Sequence, residues 1–275
     1  MAVPARPASD DPAPLTSRRH PLVARVRALA SGRTRDAILL DGAHLVQVAL
    51  DVAWPIDLMA VVAPLAPDTE AARLARQATT AGVTVTPVTR PVMDALSPAR
   101  TPGDVVALAR RPSTTLPSAL DAECPLVLVA WSVQDPGNVG ALVRAADACG
   151  ASAVVCAGEC ADPFGWKALR GSMGSALRLP VAVERDGALV LRALRDHGLV
   201  GVAAAGRGGV LPEAVDWRRP TALLVGNEGA GLPAAVAAAA RDRVAVPMRA
   251  GVESLNVAVA AGILLYEAAR QRGRQ

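Results

Sequence analysis

Between residues 22 and 272, short apolar runs of strand length alternate with segments of helical periodicity, and this rhythm restricts the fold more than any other feature. Leu22, Val23, Val26 and Leu29 share one face of a helix that Pro21 opens. Strands are predicted at 37–40, 59–62, 83–88 and 104–109, with helices at 42–50 and 70–81, the latter closed by Gly82. The rhythm resumes with strands at 126–130, 153–156, 181–183, 199–203, 222–225 and 243–246. Helices are predicted between and after them at 139–149, 166–173, 189–197, 233–240 and 255–272. Apolar strands separated by helices imply an α/β fold, with a parallel sheet covered on both faces. A length of 275 residues suits two modest domains, each with its own core. The stretch 112–123 (PSTTLPSALDAE) reads as the linker between a first domain at 18–111 and a second at 124–275. Residues 1–17, rich in Pro, Ala and Asp without periodicity, are expected to be disordered.

Composition narrows the function classes. One Phe, one Tyr and four Trp leave an aliphatic core and few platforms on which bases could stack. Lys167 is the sole lysine, and arginine supplies the remaining positive charge of a chain with net charge +4. Much of that excess reads as codon bias, yet the planar guanidinium also suits phosphate. Residues 1–35 hold seven arginines against Asp10 and Asp11, a distribution compatible with nucleic acid. Arg18, Arg19, Arg25, Arg27 and Arg35 are the candidate RNA contacts. Four cysteines and three histidines show no zinc-ligand spacing, so no metal is expected. The first 15 residues contain no apolar signal core, and the run 257–266 is too short to cross a bilayer. A cytoplasmic protein without membrane attachment is expected.

Three segments, each at the carboxyl end of a predicted strand, carry the candidate chemistry. Ligands bind at those ends in open α/β sheets. The first, DPGNVGALVR at 135–144, opens a helix with a turn and presents Asn138 and Arg144. The second, LVGNEGAGLP at 224–233, runs from a strand through three glycines to a helix-starting Pro233. Its glycines allow close backbone approach, but it lacks the phosphate-loop lysine, and Glu228 repels phosphate. The third, VPMRAGVESLNV at 246–257, places Ser254 as the expected cap of the last helix and Asn256 in its first turn. An amide heading an apolar run needs partners, which a ligand or Glu228 could supply.

In this order and spacing the three segments resemble the motifs of the SpoU/TrmH group of RNA 2′-O-ribose methyltransferases, within the knotted SPOUT class. The likeness covers 124–272 and includes KALRGSMG at 167–174 and LPV at 179–181. The first half resembles the L30e-like RNA-binding domain through LLDGAH at 39–44 and SPARTPGDVV at 97–106, with Asp41 where such domains commonly have Glu.

The resemblance implies a parallel-sheet domain tied in a C-terminal trefoil knot, preceded by the smaller L30e-like domain, and a homodimer. It implies S-adenosylmethionine as cofactor, bound by Gly226, Val246 and Leu255, with Val246 standing where Ile is usual. Arg144 would be the catalytic residue, Asn138 and Glu228 would orient it, and Ser254 and Asn256 would hold the knot loops and substrate. A guanidinium is a donor and a poor proton acceptor, so stabilising a developing alkoxide or gripping a phosphate suits Arg144 better than acting as a base. Ribosomal RNA is the expected substrate and partner. The alternatives are a tRNA 2′-O-methyltransferase, a non-catalytic RNA-binding member of the same fold, and a small-molecule α/β enzyme.

Overall fold

A computed structural model describes residues 13–273, and the chain divides into two units, Met1–Arg110 and Arg111–Gln275. In the first, helix α1 (Pro21–Ala30) precedes β1 (Ala37–Asp41), α2 (Ala43–Asp51), β2 (Ile56–Val62), α3 (Glu70–Thr80), β3 (Thr84–Val88), α4 (Arg90–Leu96) and β4 (Val105–Arg110). Its four-stranded sheet runs β1-β4-β2-β3. Strands β2 and β3 are parallel, whereas β4 lies antiparallel to both β1 and β2, so this sheet is mixed rather than parallel throughout. Helix α4 is absent from the predicted elements. Pro91 reads as a breaker, but it sits in the helix's first turn, where a missing N–H costs nothing.

Two expectations about connecting segments need correction. Part of the stretch expected to be disordered is ordered: Leu15 N–H donates to Pro87 O at 2.9 Å, and Leu15 O accepts from Thr89 N–H at 2.9 Å. Strand β3 is a sheet edge whose unpaired backbone groups accept a short added segment. Residues 1–12, the rest of that stretch, lie outside the described residues. The expected linker at 112–123 contains helix α5 (Leu116–Leu120), whose Leu116, Ala119 and Leu120 are buried in the second unit's core. Apolar side chains on one face of a single helical turn are ordered by what they pack against, which a Pro/Ser/Thr-rich composition conceals.

The second unit continues with β5 (Leu126–Trp131), α6 (Pro136–Ala148), β6 (Ala153–Ala157), α7 (Trp166–Ser172), β7 (Val181–Glu184) and α8 (Gly187–Asp196). It ends with β8 (Val200–Ala205), β9 (Thr221–Val225), α9 (Ala234–Ala239), β10 (Asp242–Ala245) and α10 (Val257–Gln271). The sheet order is β10-β8-β9-β5-β6-β7, and every neighbouring pair is parallel. Strands β5, β6 and β9 are buried at every position, which is why they read as unbroken apolar runs. Helices α6 and α7 pack closely: a Cβ built on Gly140 would lie 2.3 Å from Ala168 O, so only glycine fits. That contact fixes α6, the helix that carries Asn138 and Arg144.

Candidate active site

The carboxyl ends of β5, β9 and β10 deliver the three motif segments to one place. After β5, Ser132 takes a left-handed turn (φ 53°). Asp135 then caps α6 by accepting from Asn138 N–H at 2.8 Å, with Pro136 inside the helix start. After β9, the glycine-rich loop folds around Asn227. Its amide donates to Ser132 O at 2.9 Å, and its Oδ1 accepts from Gly229 N–H at 2.8 Å and Ala230 N–H at 3.3 Å. Asn227 and Gly231 also exchange backbone hydrogen bonds. A Cβ on Gly226 would lie 2.2 Å from the carbonyl carbon of Gly231, so this glycine lets the loop close on itself.

Side chains of the three segments then join in series. Asn138 Nδ2 donates to Glu228 Oε1 at 2.7 Å, and Asn138 Oδ1 accepts from Asn256 Nδ2 at 2.9 Å. Asn256 Oδ1 accepts from Ala258 N–H at 2.9 Å and Val259 N–H at 3.3 Å, the first backbone donors of α10. Every bond points the same way, from the positive end of a helix through two amides to a carboxylate, so each polarises the next.

This arrangement corrects three expectations. Asn256, not Ser254, caps α10, and Ser254 makes no hydrogen bond among the described residues. Asn256 is exposed and bonds Asn138 rather than Glu228. Asn138 and Glu228 engage one another and neither bonds Arg144, which is exposed on α6 and makes no hydrogen bond or ion pair among the described residues. At a helix start the amide oxygen of an asparagine accepts from orphan backbone N–H groups, as that of Asn256 does, and leaves its Nδ2 donors for a neighbouring side chain.

Beside this chain of bonds lies a cavity of about 330 Å³. Gly226, Val246 and Leu255, the expected cofactor residues, all line it, as do Ser254 and Glu228. Apart from Asn227 its remaining lining residues are apolar or glycine, and Glu228 is the only ionisable side chain in the lining. The end of β8, at Ala204 and Ala205, contributes to it and is not among the expected residues. Nor is Asn227, whose signal in the sequence is an asparagine followed by Glu-Gly, a pattern that favours a side-chain-closed turn. Behind the first segment, Cys160 Sγ accepts from Val133 N–H at 3.3 Å. A hydrogen bond from Cys156 holds the Cys160 thiol below its usual range, and the same contact with burial pushes Cys156 up.

In the first unit the five candidate RNA arginines are all exposed. Arg18 Nε donates to Pro91 O at 3.0 Å, and Arg25 pairs with Asp36 at 3.2 Å. The side chains of Arg19 and Arg27 bond nothing among the described residues, which leaves their charge available; Arg35 has a partner of its own. Among the described residues no cluster of three or more His, Cys, Asp or Glu could hold a metal ion, and no helix is long and apolar enough to cross a membrane.

The family model described as SpoU rRNA Methylase matches residues 125–266. An uncharacterised tRNA/rRNA methyltransferase of Synechocystis is 33% identical, over 97% of each chain. The 23S rRNA (uridine(2479)-2′-O)-methyltransferase of Streptomyces viridochromogenes is 33% identical over 87% of this chain and 85% of its own. Among solved structures, an rRNA methyltransferase from Sinorhizobium meliloti with AdoMet bound superposes with a TM-score of 0.83 at 32% identity, covering 94% of this chain and 97% of that one.

Proposed function

Because the chain belongs to the SpoU rRNA methylase family, we propose that it transfers a methyl group from S-adenosylmethionine to a ribose 2′-hydroxyl of ribosomal RNA. The observation that carries this reading is the hydrogen-bonded series Glu228–Asn138–Asn256 at the edge of the cavity lined by Gly226, Val246 and Leu255. The cavity suits the cofactor chemically. Apolar walls and exposed backbone favour a nucleoside, and a single carboxylate favours a cation. S-adenosylmethionine, when bound, supplies an electrophilic methyl on a positively charged sulfur.

The remaining work falls to the chain's own residues. Glu228, held at 2.7 Å by Asn138, places a fixed negative charge at the cavity wall. Ser254, with no partner among the described residues, has a hydroxyl to offer to substrate. Arg144 contributes a guanidinium that donates and does not accept, a role suited to stabilising the alkoxide as the 2′-hydroxyl loses its proton. The same reading gives the second unit a trefoil knot, a rare exception to unthreaded connections. The meeting of the 226–233 and 246–256 segments around one cavity supports it. It makes the first unit an L30e-like RNA-binding domain, supported by the exposed Arg19 and Arg27. It also makes the enzyme a homodimer. Val259, Ile263 and Tyr266 form an apolar stripe on α10, 52%, 41% and 67% exposed, which a second copy would cover. A ribosomal substrate fits the cytoplasmic setting expected from the sequence.

Arg144→Ala tests the assignment. Methyl transfer to ribosomal RNA is expected to vanish while calorimetry gives an unchanged affinity for S-adenosylmethionine. Unaltered turnover in this variant would remove Arg144 from the mechanism.

A further inference from the structure

A second cavity, of about 370 Å³, adjoins the first and shares Gly206, Val246 and Met248 with it. The two differ in charge. Glu228 is the only ionisable side chain lining the first, whereas Arg207 and Arg249 are the only ones lining the second. Both arginines are exposed. Arg207 donates to Val252 O at 3.3 Å, which ties the loop after β8 to the loop before α10 and uses one of its five N–H donors. The side chain of Arg249 makes no hydrogen bond or ion pair among the described residues. Neither guanidinium is neutralised by a carboxylate among the described residues, and an uncompensated pair of this kind recognises an oxyanion that presents several acceptors.

We infer that this second cavity binds a backbone phosphate of the substrate RNA, the one adjoining the ribose that is methylated. The inference rests on the methyltransferase reading and adds to it a subsite. In RNA the 3′-phosphodiester hangs from the carbon next to the one that bears the 2′-hydroxyl. A phosphate seated between Arg207 and Arg249 therefore brings that hydroxyl to the shared wall at Val246 and Met248, beyond which lies the cavity with the carboxylate. Opposite charges on the two sides of one wall sort a cationic cofactor from an anionic substrate. Contact to phosphate also positions RNA without reading its sequence.

The test uses the full chain and an unmodified transcript of 23S ribosomal RNA as probe. For R207Q/R249Q, the dissociation constant and KM for the transcript are expected to rise about tenfold to a hundredfold. The slope of log affinity against log salt should shrink by about 1 to 2, as two fewer phosphate contacts release counterions. Affinity for S-adenosylmethionine should stay as in the parent chain. Arg249→Gln alone, at a side chain that bonds nothing, should give part of the same loss, and R207K/R249K should restore most of the salt slope. Unchanged RNA affinity and salt slope in the double variant would overturn the inference. Loss of cofactor affinity with RNA affinity intact would overturn it too, by assigning the arginines to the cofactor. The binding arm reads the subsite whether or not the transcript is methylated, so a failure of the methyltransferase reading shows separately, as absent turnover in the parent chain.

Discussion

Asn138 is the residue on which the site turns, because its single amide both donates to Glu228 and accepts from Asn256. No other side chain of similar shape does both. An aspartate in its place would set a second carboxylate against Glu228, and an alanine would remove both of these bonds at once. Asn138→Ala is expected to slow the methyl-transfer step by about 100-fold or more, the cost of losing one preorganised polar group. Single-turnover kinetics measure it. Since Asn138 does not line the cavity, cofactor affinity should hardly change. Asn227 predicts the converse. Its three hydrogen bonds shape the loop that forms the cavity wall, so Asn227→Ala should weaken S-adenosylmethionine binding by about tenfold while kcat at saturation persists. The difference between the two asparagines is only half visible in the sequence. Asn138, Glu228 and Asn256 stand out as polar groups at strand ends, but which amide faces which depends on three loops meeting, and no local pattern encodes that meeting. Arg144 shows the limit from the other side: six residues from Asn138 on one helix, it makes no bond to the series among the described residues.

At the scale of elements, α10 bears on both stability and chemistry. Its cap is the same Asn256 that feeds Asn138, so Asn256→Ala removes a helix cap and a link in the series at once. The cap is worth about 1 kcal/mol. For a chain of this size that loss lowers Tm by about 2–4 °C, which differential scanning calorimetry resolves, alongside a loss of turnover. Most elements are legible because buried parallel strands are apolar at every position and are bounded by Gly, Pro or polar turns. Helices α4 and α5 are not, since Pro91 and Pro117 read as breakers when they sit in first turns. The direction of β4 is equally hidden, because antiparallel pairing with β1 and β2 is a tertiary choice that leaves the same apolar run in the sequence.

For the whole molecule, the chain divides into two compact units, and the bonded series and the cavity beside it both lie in the second. Its first residue, Arg111, is held there by a two-pronged ion pair with Asp162 (2.7 and 3.0 Å) and by the ring of Phe164, 5.1 Å away. A chain of residues 111–275 is therefore expected to fold and to bind S-adenosylmethionine with the affinity of the full chain. Its affinity for ribosomal RNA should fall tenfold or more, as anisotropy titration would measure; equal RNA affinity would deny the first unit its role. The series from α10 to Glu228 also has a consequence for the resting protein. Glu228 and Asn256 are open to solvent, where bulk water competes for each bond and mutes its field. An RNA strand laid over them would expel that water and sharpen the field; under the proposed function the device then idles when a methyl donor waits alone and engages once an acceptor covers it.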